Sequence, residues 1–193
     1  MKMRMILLAS ALLSLLAMPG STSAQQDEGI GLTIFTGAQN SPTSFDAFRS
    51  VEYDAGVRFG AGVIFVIDEY VSVRGTVALS NNTGSESGAV SEDIDFSRQY
   101  YGAQVQVQYP ATSTLSPYVF AGGGLVTVER SAQSYSYDMT EGAGLFGVGA
   151  SFRLNESLAL YAEGQGWIYS RQTVGDTQLD KTVNVGLTYH VPF

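Results

Sequence analysis

From Lys181 to Phe193 the residues alternate in character. Val183, Val185, Leu187, Tyr189, Val191 and Phe193 are apolar, and the interleaved Thr182, Asn184, Gly186, Thr188 and His190 are polar or small. A period of two predicts a strand with one greasy and one wet face. The same period recurs upstream in seven more segments. The first, about Gly29 to Ala38, carries Ile30, Leu32 and Ile34 on one face. The second, Val51 to Ile67, has an apolar residue at every odd position, with Glu52, Asp54, Arg58 and three glycines opposite. The third, Tyr70 to Ser80, sets Val71, Val73, Val77 and Leu79 against Ser72, Arg74 and Thr76. The fourth, ending at Tyr109, sets Tyr101, Ala103, Val105 and Val107 against Arg98, Tyr100, Gln104 and Gln106. The fifth, Pro117 to Glu129, reads as Tyr118, Phe120, Val126 and Val128 against Ala121, Gly123, Thr127 and Glu129. The sixth, Thr140 to Leu154, places Phe146, Val148, Ala150 and Phe152 opposite Gly147, Gly149, Ser151 and Arg153. The seventh, Ser157 to Tyr169, places Leu158, Leu160 and Ala162 opposite Tyr161, Glu163 and Gln165.

The connections alternate as regularly as the residues. Asp68-Glu69, Pro110 to Ser116 and Asn155-Glu156 are short; Gln39 to Ser50, Asn81 to Asp95, Arg130 to Met139 and Ser170 to Asp180 read as long loops. An even number of strands with short and long connections in strict turn predicts an all-β, eight-stranded antiparallel transmembrane up-and-down β-barrel. Hydrocarbon offers no partner to a free backbone N–H or C=O, so a sheet in a membrane must close on itself. A soluble ligand-binding barrel would turn its apolar face inward. Here large β-branched and aromatic residues share one parity and Gly, Gln, Thr and charges the other, which turns the apolar face toward lipid. Two aromatic girdles are then expected, with Tyr70, Tyr109 and Tyr118 at the turn side and Tyr53, Tyr101, Trp167 and Tyr169 at the loop side.

Composition narrows the address. Lys2 and Arg4 precede an apolar run to Met18 and small residues to Ala24, the three zones of a secretory signal, so residues 1–24 are expected to be a signal peptide and 25–193 the barrel domain. Removing Lys2 and Arg4 from ten basic residues leaves eight against eighteen acidic ones, a net charge of −10. That balance argues against a nucleic-acid partner. The absence of cysteine excludes disulfides and thiol chemistry.

The texture of Pro117-Tyr118-Val119-Phe120-Ala121-Gly122-Gly123-Gly124, of Gly142-Ala143-Gly144 through Asn155, and of Ser157-Leu158-Ala159-Leu160-Tyr161-Ala162-Glu163-Gly164 resembles small outer-membrane β-barrel proteins of the OmpA/OmpX and opacity-protein (porin-family) kind. The resemblance implies a monomer in the bacterial outer membrane, both termini periplasmic, surrounded by outer-membrane lipid and lipopolysaccharide. It further implies that Tyr189, Val191 and Phe193 form the carboxy-terminal signal read by the barrel-assembly machinery. Function is expected to reside in the four extracellular loops and a partner they bind. A small pore is the alternative, and an outer-leaflet lipid-modifying enzyme a more distant one.

No motif predicts an enzyme, a cofactor or a metal. Gly142-Ala143-Gly144-Leu145-Phe146-Gly147 spells a dinucleotide fingerprint, but more strand follows it rather than the helix that must meet the phosphates. His190, the single histidine, falls at the turn-side rim, remote from outer-leaflet chemistry. The acidic run Glu92-Asp93-Ile94-Asp95 lacks the spacing of a calcium loop and reads as solvated surface. The inward charges Arg58, Arg74, Arg98, Glu129, Arg153 and Glu163 are expected to form a polar lumen network, because an eight-stranded interior is just wide enough for side chains to fill and buried charge is costly unless paired.

Overall fold

A computed structural model describes residues 29–40, 44–46, 49–53, 55–87, 92–109, 112, 114–132, 135–170 and 177–191. Its strands are β1 (Gly29–Asn40), β2 (Ser44–Asp46), β3 (Arg49–Tyr53), β4 (Gly56–Val66), β5 (Val71–Ser87), β6 (Glu92–Gln108), β7 (Leu115–Ala132), β8 (Tyr135–Arg153), β9 (Leu158–Ser170) and β10 (Thr177–His190). Eight of them close a barrel in the order β1-β4-β5-β6-β7-β8-β9-β10, every pair antiparallel. The last strand seals it: β10 pairs with β1 from Gly31↔His190 to Asn40↔Lys181. Among the described residues there is no helix. Phe193 and the expected signal segment lie outside the described residues; the last backbone contact there is Val191 N donating to Ile30 O at 2.8 Å.

The three short connections use one device. Asp68 Oδ1 accepts from Tyr70 N and Val71 N at 2.7 Å each. Asn155 Oδ1 accepts from Ser157 N at 2.9 Å and Leu158 N at 2.8 Å. Thr112 Oγ1 likewise accepts from Leu115 N at 2.9 Å. In each, a small polar side chain satisfies the backbone donors that a reversing chain exposes.

The other rim differs from expectation. Much of what reads as loop is strand: β5 and β6 stay paired to Glu86↔Glu92, and β7 and β8 to Ala132↔Tyr135. The segment predicted as one strand from Val51 is broken. β3 and β4 both pair with β5, Tyr53 opposite Gly84 and Val57 opposite Asn81, so the β3–β4 side holds one residue more than its partner, as at a β-bulge. β2 then pairs with β3 inside the predicted first loop. Ser, Thr, Asn and acidic residues in these hairpins hide the strand signal. Outside a membrane neither face must be apolar, so the period of two fades while the backbone pairing continues.

Alternation sets the two faces. Leu79, Val105, Val107, Val119, Val148, Val183 and Val185 point outward and are exposed, as are Phe65, Tyr70 and Tyr109 near the strand ends and Tyr101 midway along β6. Three corrections follow on the inside. Tyr118, Phe120, Val126 and Val128 are buried in the lumen, and Glu129 is exposed on the outer face. Trp167 and Tyr169, expected in a girdle, are buried inside, and so is Tyr118. Glycines opposite make the room: a Cβ on Gly147 would stand 2.3 Å from the Phe120 ring, and one on Gly149 2.5 Å from Tyr118. The expected girdle position of Tyr53 concerns a side chain outside the described residues.

Candidate functional site

Among the described residues, polar and charged groups gather most densely in the lumen. At its centre Glu163 of β9 meets Arg74 of β5, whose Nη2 donates to Oε2. In the ring of eight, β5 and β9 are four places apart in either direction, so the pair spans the bore from wall to opposite wall. Tyr118 OH donates to the same Oε2 at 2.9 Å. Gln165 Nε2 (2.6 Å) and Asn184 Nδ2 (3.4 Å) donate to Oε1. Four donors saturate the carboxylate, which is what a buried anion requires. Arg74 is also held by Gln104, whose carboxamide oxygen, turned toward the guanidinium, accepts from Nε at 3.1 Å and Nη2 at 2.6 Å. The rings of Tyr161 and Phe120 lie 5.3 and 5.6 Å from the guanidinium carbon.

Toward the long-hairpin rim the network continues through neutral groups. Gln165 Oε1 accepts from Trp167 Nε1 at 3.2 Å and from Thr182 Oγ1 at 3.4 Å. Thr182 in turn accepts from Arg58 Nη1 at 3.3 Å. The Arg58 guanidinium carbon stands 4.4 Å from the Tyr100 ring, 5.7 Å from Trp167 and 5.8 Å from Phe35. Above it, Asp180 Oδ2 accepts from Tyr100 OH at 2.8 Å and Tyr169 OH at 2.9 Å, and Oδ1 accepts from Gln178 at 3.3 Å. Gln39 donates to Tyr100 OH. Arg98 Nη1 donates to Asn82 Oδ1 at 3.4 Å, which Ser80 Oγ also reaches at 3.0 Å.

Of the six charges expected in the lumen, Arg58, Arg74, Arg98 and Glu163 are buried there. Arg153 has inward parity and is half-buried near the short-turn rim. Glu129 is the exception, exposed beyond the outward Tyr101–Leu125 row, where Gln99 Nε2 donates to it at 3.5 Å. Past that row a charge faces water and costs nothing to leave outside. Asp180, Tyr100, Gln104, Gln165 and Trp167 are central to the network without being among the six charges expected there. The inner parity of β9, carrying Tyr161, Glu163 and Gln165, continues two and four residues on to Trp167 and Tyr169. His190 pairs with Gly31 at the short-turn rim, and Gly142 to Gly147 run inside β8.

A model of the outer membrane protein β-barrel domain matches residues 8–190. The chain belongs to that family. Solved structures of the same architecture include Neisserial surface protein A, at 14% identity and a TM-score of 0.66 over 84% of this chain and 97% of that one. OprG from Pseudomonas aeruginosa is similar at 12% identity and a TM-score of 0.67, covering 89% and 100%. Ail of Yersinia pestis, solved with the heparin analogue sucrose octasulfate, is similar at 16% identity and a TM-score of 0.59, covering 86% and 100%. No curated protein sequence matches. Membership places this barrel in the bacterial outer membrane. There the outward valines and leucines meet hydrocarbon.

Proposed function

We propose that this barrel is a non-conducting, surface-exposed interaction protein whose long-hairpin rim faces the outside of the cell. The observation that carries the reading is the contrast between a bore bridged by Arg74 and Glu163 and strands as long as the 19 residues of β8, where about 9–11 suffice to cross a bilayer. From Val77, in the row of Tyr101, β5 continues to Ser87, ~30 Å along the strand at the usual rise per residue. Residues 135–142 of β8 pair with β7 on one side, and among the described residues nothing pairs with their other side. An open edge in water is a template for an extended segment of another protein. Backbone pairing would supply affinity there, and side chains the choice of partner.

Charge selects the partner class. Glu86, Glu92, Asp93 and Asp95 cluster at the end of the β5–β6 hairpin, and the whole mature chain is acidic. The fitting partner is an extended, cationic peptide segment rather than a polyanion such as the one bound to Ail. The protein in nanodiscs should bind an immobilised alternating Lys–Val peptide and not sucrose octasulfate. Trimming both hairpins to tight turns beyond Ser97 and Glu129 should abolish peptide binding while leaving a folded barrel. In planar bilayers the intact protein should show no steady conductance. Peptide binding unaffected by the trimming would overturn the interaction reading, and a stable open channel would favour the pore.

A further inference from the structure

The outer wall is not evenly convex. Across β9, β10, β1, β4 and β5 it carries a hollow of about 1050 Å³, almost wholly apolar. Two rows of outward side chains line it: Leu160-Leu187-Ile34-Ala61-Val77, and Val185-Thr36-Phe59-Leu79. Ala61 and Thr36 are the low points between bulkier neighbours. The cause lies inside. Gly60 and Gly186 face the lumen without side chains, and a Cβ there would stand 2.2 Å from the Phe35 ring and 2.7 Å from Tyr161. The lumen filling therefore packs directly against the backbone, and no inward side chain holds the wall out. Thr36 adds no polar demand, because its Oγ1 donates to Arg58 O at 3.1 Å.

We propose that this hollow is a lipid site, in which an acyl chain of an anionic outer-leaflet lipid lies with its phosphate at Lys181. Three observations choose that occupant. The hollow lies on the hydrocarbon-facing wall, and it climbs from Leu160, close above the Glu156 turn, to Val77 in the row of Tyr101. A second copy does not fit, since a two-fold interface brings a patch against itself and two facing hollows enclose a void. Lys181 is exposed on the outward parity of β10, in line above Val183, Val185 and Leu187, at the long-hairpin end. A cation in line above an apolar groove matches a lipid of net negative headgroup charge rather than a zwitterionic one. The leaflet assignment rests on the orientation proposed above; the hollow itself does not.

The test is lipid retention. The protein, reconstituted in phosphatidylcholine nanodiscs doped with lipid A, is released into mild detergent, and bound lipid is counted by native mass spectrometry. Lipid A should be retained several-fold above its share of the bilayer. Ala61→Trp, which fills the hollow, should abolish retention, whereas Val105→Trp, on lipid-facing wall outside the hollow, should not. Lys181→Gln should keep retention but remove the preference for lipid A. Equal retention by the two Trp variants would overturn the site. No preference in the unmutated protein would overturn the assignment to an anionic lipid, and a dimer that Ala61→Trp disrupts would overturn lipid as the occupant. Should Ala61→Trp fail to fold, a photoactivatable acyl chain on lipid A decides with the unmutated protein. Crosslinks should gather at Thr36, Ala61 and Val185, and even labelling round the barrel would refute the site. Protease access to the hairpins on intact cells tests orientation separately.

Discussion

Arg74 and Arg58 are both buried on the inner wall, and they are kept there by opposite means. Arg74 has a counter-ion: Glu163 accepts from it across the bore while Gln104 accepts from Nε and Nη2. Arg58 has no carboxylate within hydrogen-bond reach among the described contacts; it has Thr182 and the faces of Tyr100, Trp167 and Phe35. The first arrangement is stable only while both partners stay charged, because removing one strands the other. The second depends on ring quadrupoles and a planar cation, with no carboxylate hydrogen-bonded to the guanidinium among the described contacts. The same residue type in the same lumen is therefore brittle at one level and tolerant at the other.

The largest expected effect breaks the first arrangement. Glu163→Gln leaves the Arg74 charge without its counter-ion and should cost about 3–5 kcal/mol of folding free energy, read from urea titration of the heat-modifiable folded band. Adding Arg74→Gln should recover part of that loss; a double variant as unstable as the single one would mean that the pair is not what holds Arg74. Next comes an arginine given neither device. Val105 is exposed on the lipid face midway between the Tyr101 and Tyr109 levels, and Val105→Arg should cost about 2–4 kcal/mol. Gln104→Arg, one residue away but inside, should cost less, and the reverse order would invert the two faces.

Arg58→Lys sharpens the contrast further. Lysine keeps the charge but loses the planar stack, and the change should cost about 2 kcal/mol. Arg58→Met removes the charge while keeping much of the volume and should stay within about 1.5 kcal/mol of the parent. The conservative substitution is thus expected to do more harm than the apolar one. If unfolding curves rank them the other way, the aromatic cage is not what stabilises Arg58. The smallest effect concerns the glycines. Gly164→Ala meets nothing within 4 Å and should lie within about 0.5 kcal/mol. Gly147→Ala drives a methyl group into Phe120 and should cost about 1–3 kcal/mol.

The alternation of Val183 to Val191, the polar residues at Asp68, Thr112 and Asn155, and the even count of strands were legible along the chain. A bilayer imposes them locally: each outward position must be apolar on its own account, and each short turn must satisfy its own backbone. The pairing of Arg74 with Glu163 was partly legible, since two inward charges of opposite sign at similar heights have few other ways to be neutral. The strand of Tyr118 to Val128 was not. Apolar residues occupy both of its parities, and only the glycines facing Tyr118 and Phe120 from β8, together with Glu163 across the lumen, decide which set turns inward. Trp167 and Tyr169 were misread for the same reason: an aromatic near a strand end suits an interface or a crowded interior equally well, and the shape of the opposite wall chooses. The hairpins beyond the membrane escaped because water relaxes the demand on both faces, leaving backbone pairing with no trace in hydropathy. Residue chemistry therefore determined where the chain must be greasy and where it must turn. Which polar groups meet, which rings fill the bore and where the wall sinks were decided by closure of the barrel, because those contacts join strands that only closure brings face to face.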